Sequence, residues 1–270
     1  MGTSSMYGGY SGSNSQGNPL LPSDFDENET DSSNEEDSTE TQHSDDNEDG
    51  EKRIVSWQTA KTAMSKFASG SSGNIKNALS SYVKAHGGAK SASKTIRSAI
   101  VTTKNIGSFI NSVSTGGLRE TLDGYSIDYE NRTVSEVLSE LINYLAPSPI
   151  TKDDSIARKA LILTMENLYN LMGEESLDLD SVTGESLNFL IPKYVESFIY
   201  ERLINDLGSR IETADIDFKR AVEIENDLKD YIVAKVEVVF RGKDFTTIVF
   251  TNAVVESLYN QCYTVMEDMI

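Results

Sequence analysis

From Asp24 to Glu51 the chain places 14 acidic side chains among 28 residues, with no lysine or arginine. Such a stretch buries too little apolar surface to offset the entropy of ordering, about 1–2 kcal/mol per residue for the backbone alone. Residues 1–23 ahead of it are rich in Gly and Ser and carry no charged side chain. Residues 1–52 are therefore expected to form a disordered tail, a Gly/Ser-rich head followed by an acidic linker. The charge then inverts. Residues 52–119 hold 11 basic residues and no acid, and residues 120–270 hold 29 acids against 13 basic residues. The successive blocks of −14, +11 and −16 add to the net charge of −19. They suggest three segments: the tail 1–52, a basic helical segment 53–119 and an acidic helical domain 120–270.

Several function classes find no support. The single cysteine, Cys262, excludes an intramolecular disulfide, and two histidines, His43 and His86, leave little for a zinc site. No metal and no cofactor is expected. There is no run of 18 apolar residues and no signal-peptide pattern, so the expectation is a cytoplasmic chain without a membrane span. The start misses the myristoylation pattern, because Met6 stands where Ser or Thr is needed. Neither a phosphate-binding Gly-rich loop nor a nucleophile elbow occurs. His86 reads as a residue at a helix C-terminus and Cys262 as a small buried hydrophobe. The expectation is a protein without enzymatic activity.

Beyond the tail the periodicity is mainly α-helical. Trp57, Ala60, Met64 and Phe67 share one helix face, as do Ile75, Leu79, Tyr82 and Val83. A third stretch runs from Ala89 to Val113, and a Gly-rich, irregular passage between Ser114 and Asn131 suggests a module boundary. Thr133 and Glu136 form a capping-box pattern ahead of Val134, Val137, Leu138, Leu141 and Leu145. Further helices are expected near 152–172, 187–207, 215–239 and 252–269. At 236–250 the β-branched and aromatic content also fits a single β-hairpin. Helical spacing through Val236 favours a long helix there instead.

The cations among 52–119 admit two readings. Lys84, Lys90, Lys94 and Arg97 could contact nucleic-acid phosphates, releasing counterions. Alternatively they face the acidic half, the acidic linker or an acidic partner. The head offers Tyr7, Tyr10 and Asn18-Pro19-Leu20-Leu21-Pro22 as handles that a passive spacer does not need. For about 50 flexible residues the r.m.s. span is about 40 Å, enough to carry Gly2 into another protein while the body stays docked elsewhere.

Two elements carry a resemblance. One is the head, Met1-Gly2-Thr3-Ser4 with its Gly/Ser run and the closing Pro19-Leu20-Leu21-Pro22-Ser23. The other is Tyr82-Val83-Lys84-Ala85-His86-Gly87-Gly88-Ala89-Lys90-Ser91-Ala92-Ser93-Lys94-Thr95-Ile96-Arg97. Together they resemble the QatB family, the B components of four-gene Qat anti-phage systems, encoded with an ATPase, a QueC-like protein and a TatD-like nuclease. In that family a basic residue precedes the glycine pair, matched by Lys84, and an Arg follows on the helix, matched by Arg97. The family's linker is often richer in proline where this chain is acidic. The resemblance implies a component of an anti-phage complex whose N-terminal glycine, Gly2 after Met1 removal, accepts a 7-deazaguanine-type group from the QueC-like partner. Thr3, Ser4 and Ser5 would then thread the partner's pocket.

Overall fold

The computed structural model describes residues 55–71, 73–146, 148–172, 182–212 and 216–268. The head, the acidic linker and the expectations placed on Gly2, Thr3, Ser4 and Ser5 lie outside them. Lys52–Ile270 clusters as one compact unit. Among its described residues all regular structure is helical, with no strand.

Local signals set most of the helix starts. Ser56 accepts from the Thr59 amide to open α1 (Trp57–Ala68), and Asn74 accepts from Asn77 to open α2 (Ile75–Ala85). α3 (Ala89–Lys94) and α4 (Arg97–Gly124) follow, separated by a break at Thr95-Ile96 that divides the single stretch expected from the sequence. The Gly-rich passage is helical on both sides of one kink, at Gly117 with φ 81°. Leu118 and Leu122 continue the buried face beyond it, so the charge change from Arg119 to Glu120 falls inside α4.

The Thr133–Glu136 capping box forms as expected and starts α5 (Val134–Leu145). α6 (Lys152–Met172) begins where Thr151 and Asp154 exchange the same kind of bonds. A 3₁₀ turn (Glu185–Leu187) leads into α7 (Leu190–Leu207), and α8 (Ser209–Glu212) is one short turn. Asp217 caps α9 (Phe218–Phe240), and Thr251 caps α10 (Asn252–Glu267).

The hairpin alternative near 236–250 is not what forms. Residues 236–240 instead continue α9, where Ile224, Leu228, Ile232, Val236 and Phe240 form one buried stripe. The chain turns at Gly242, whose φ is 73°, and Phe245 and Phe250 fold back into the core.

α7 is the central element. Leu190, Ile191, Tyr194, Val195, Phe198, Ile199, Leu203 and Leu207 are buried around it, as expected of a helix enclosed by neighbours. α6, α9 and α4 pack against it, while α10 packs on α3, α2, α4 and α9. Helices from the basic and the acidic segments thus share one hydrophobic core. Gly107 shows how close the packing is: a Cβ there would stand 2.2 Å from the Phe250 ring, so only glycine admits that ring against α4.

α4 and α6 are tied by polar bonds. The Ser98 hydroxyl donates to Asp154 at 2.6 Å, and the Ser98 amide donates to Asp153 at 3.1 Å. The Ser98 hydroxyl and the Thr151 amide and hydroxyl lower the Asp154 carboxyl to about 2. A depressed carboxylate stabilises the fold above its unfolded value, about 3.9, and that contribution is lost as pH falls through the folded one. Stability is therefore expected to fall between about pH 4 and pH 2, and Asp154→Asn should flatten that part of the acid-unfolding curve. Carboxyl NMR titration checks the origin: a midpoint near 4 for Asp154 would contradict it.

Candidate functional site

The segment Tyr82–Arg97 turns between α2 and α4, and two consecutive glycines make the turn. Gly87 and Gly88 both have φ 84°, a region that side-chain-bearing residues rarely adopt. A Cβ on Gly88 would also lie 3.1 Å from the Glu267 carboxylate. That carboxylate, from the end of α10, accepts the Ala89 amide at 2.8 Å, and Ser80 donates to the Glu267 carbonyl at 2.9 Å. The glycine pair thus serves the docking of the C-terminal helix.

A polar cluster lies beneath the turn. Arg202 of α7, only 8% exposed, donates to Thr95 Oγ1 at 2.9 Å, the Ala92 carbonyl at 3.3 Å and Tyr263 at 3.4 Å. Its Nη2 also stands 3.4 Å from His86 Nδ1. One turn on, Asp206 accepts from the Tyr82 hydroxyl at 3.0 Å. His86 Nε2 and Lys152 Nζ each lie 3.6 Å from its carboxylate, ion-pair separations too long for hydrogen bonds. Burial pushes the Asp206 carboxyl up, but His86, Tyr82 and the Arg202 charge outweigh it and hold it below the usual range. Burial also raises the Tyr82 hydroxyl well above its ordinary value. The Trp57 and Tyr82 rings meet His86 edge-on, each at 4.8 Å.

This arrangement is built to hold helices together. Its hydroxyls are pushed away from ionisation, and its guanidinium is spent on backbone and side-chain acceptors. Cys262 is buried, and burial raises its thiol to about 12, so the thiolate that a nucleophile needs is disfavoured. A second concavity of about 260 Å³ between α6, α7 and α9 contains Glu196 and Glu201. Both are already paired, with Lys193 at 3.3 Å and Lys159 at 2.7 Å. No cluster of three or more potential metal ligands occurs among the described residues. None of the described helices is long and apolar enough to cross a membrane.

The four cations singled out in the sequence divide between faces. Lys90 and Lys94 are exposed one turn apart on α3, Arg97 is exposed at the start of α4, and Lys84 is half-buried in the last turn of α2. Among the described residues no ion pair joins any of them to a carboxylate. Sequence reasoning did not single out Arg202, Asp206 and Glu267. The available signal was an arginine four residues after Phe198 in a helix whose apolar residues are not confined to one face.

The family model described as Qat anti-phage system associated protein QatB matches residues 87–269. The chain belongs to the QatB family. It is thereby a component of an anti-phage defence system. The match to QatB begins at the glycine pair and takes in Lys90, Lys94 and Arg97 with nearly all of the acidic half. Gly2 to Ser5 and Lys84 precede it. Neither a curated protein nor a solved structure matches the chain.

Proposed function

We propose that this QatB chain is a non-enzymatic, cytoplasmic component of its defence complex that presents its N-terminus for modification. The helical body docks on the ATPase or the QueC-like protein of the system, and the TatD-like nuclease acts in the same assembly. The head delivers Gly2, freed by removal of Met1, to the QueC-like partner for conjugation of a 7-deazaguanine-type group.

One observation carries this reading. The residues behind Gly2 are uncharged as far as Ser23, and the first three of them, Thr3, Ser4 and Ser5, are small, in a chain of net charge −19. Solubility would favour charge there, whereas entry into another protein's pocket favours its absence, since every buried charge must be desolvated. The linker composition supplies reach, about 40 Å for about 50 residues. The body supports the reading from the other side: its buried Arg202 is committed to helix packing, which suits a docking scaffold.

The threading residues are tested by bulk. In Thr3→Trp/Ser4→Trp, co-expressed with the QueC-like partner, the conjugated fraction of the N-terminal peptide is expected to fall by at least about tenfold, the effect of misplacing a reacting group by less than 1 Å. An unchanged fraction would remove Thr3, Ser4 and Ser5 from the account.

A further inference from the structure

α1 carries an uncompensated positive groove that the conjugation reading does not use. A concavity of about 290 Å³ lies between α1 and α8, lined by Lys61, Lys66 and Arg210 together with the hydroxyl-bearing Thr62, Ser65 and Ser69. Among the described residues no acidic side chain lines it. Among the described residues none of its three cations is paired with a carboxylate, whereas Lys159, Lys193 and Arg220 in the acidic half are. Charges left unpaired around a shared hollow, interleaved with hydroxyl donors, form a receptor for several oxyanions.

Trp57 adds a second chemistry. It stands one turn before Lys61, hence on the same side of α1. Its ring rests edge-on against Tyr82 and His86, at 6.0 and 4.8 Å, yet remains 38% exposed. An aromatic surface anchored from below at the end of a cationic groove is how proteins hold unpaired bases and their backbone together.

We propose that the α1/α8 groove binds single-stranded nucleic acid, with Lys61, Lys66 and Arg210 on successive phosphates and Trp57 stacking on a base. This site is independent of the conjugation at Gly2. The overall charge of −19 does not forbid it, because fields are screened within about 10 Å at 0.1 M salt.

The test is fluorescence anisotropy of a labelled 20-nucleotide single-stranded DNA with the full chain, from 50 mM salt upward. Binding should weaken with salt. Lys61→Ala/Lys66→Ala/Arg210→Ala should lower affinity at least about tenfold and flatten the slope of log K against log salt by about 2, at about 0.7 per phosphate lost. Trp57→Ala should cost at least about fivefold. Lys66→Glu, at a fully exposed position, should act in the same direction with no change in packing. Lys90→Ala/Lys94→Ala/Arg97→Ala removes equal charge elsewhere and should cost less affinity than the groove variant. Absence of binding at 50 mM salt would overturn the proposal. So would undiminished binding by the Lys61/Lys66/Arg210 and Lys66→Glu variants, or displacement of the DNA by polyglutamate and not by unlabelled DNA.

Discussion

Cells carrying Gly2→Val are expected to lose phage protection while the protein accumulates and melts as the parent does. A branched side chain beside the amine displaces it from an attack position. Misplacing a reacting group by about 1 Å costs on the order of 10²-fold in rate. Efficiency of plating with the complete gene set measures the effect, which should approach that of omitting the QueC-like gene. The variant separates two roles that a truncation would confound: the body keeps every helix contact, and only the acceptor changes. Protection equal to the parent would mean that the acceptor at Gly2 is not needed for defence.

Arg202→Met should be the most destabilising single change in the body that leaves the apolar core intact. It strands the buried Tyr263 hydroxyl and removes the guanidinium whose charge faces Asp206, while the Thr95 hydroxyl keeps its bond to the Ala92 carbonyl; each buried group that loses its partner costs about 1–3 kcal/mol. A total of about 3 kcal/mol lowers the Tm by about 6–12 °C for a unit of this size. Arg202→Lys should recover little, because one ammonium cannot reproduce the forked guanidinium contacts. The comparison is Arg132, which pairs with Glu140 and Asp128 at the surface. Such exposed pairs contribute little, so Arg132→Ala should move the Tm far less than Arg202→Met does. Equal melting shifts for Arg202→Met and Arg132→Ala would show that the buried cluster does not hold the turn.

Where one helix face decided the outcome, the sequence was sufficient. The helical spacing through Val236 and the Thr133–Glu136 box are local patterns, and both appear in the structure as expected. The β-branched run near Val236 also read as strand, because intrinsic preference is weaker than burial of a complete helical stripe. Gly116-Gly117 read as an interruption, since the sequence does not show that Leu118 and Leu122 find the same core after a kink. The cluster around Arg202 was the least legible part. Its partners are at least 61 residues away in the chain, and a single arginine among apolar residues does not name them. The family model adds what spacing could not, by extending the kinship over residues 87–269.

The central claim is that the N-terminus is a conjugation acceptor, and intact mass of the protein purified after co-expression with its QueC-like partner tests it most directly. The account predicts loss of Met1 and an added mass matching one 7-deazaguanine-type group, localised by fragmentation to Gly2 and absent when the partner's ATP site is inactivated. An N-terminus ending in unmodified Gly2 under active conditions would contradict it.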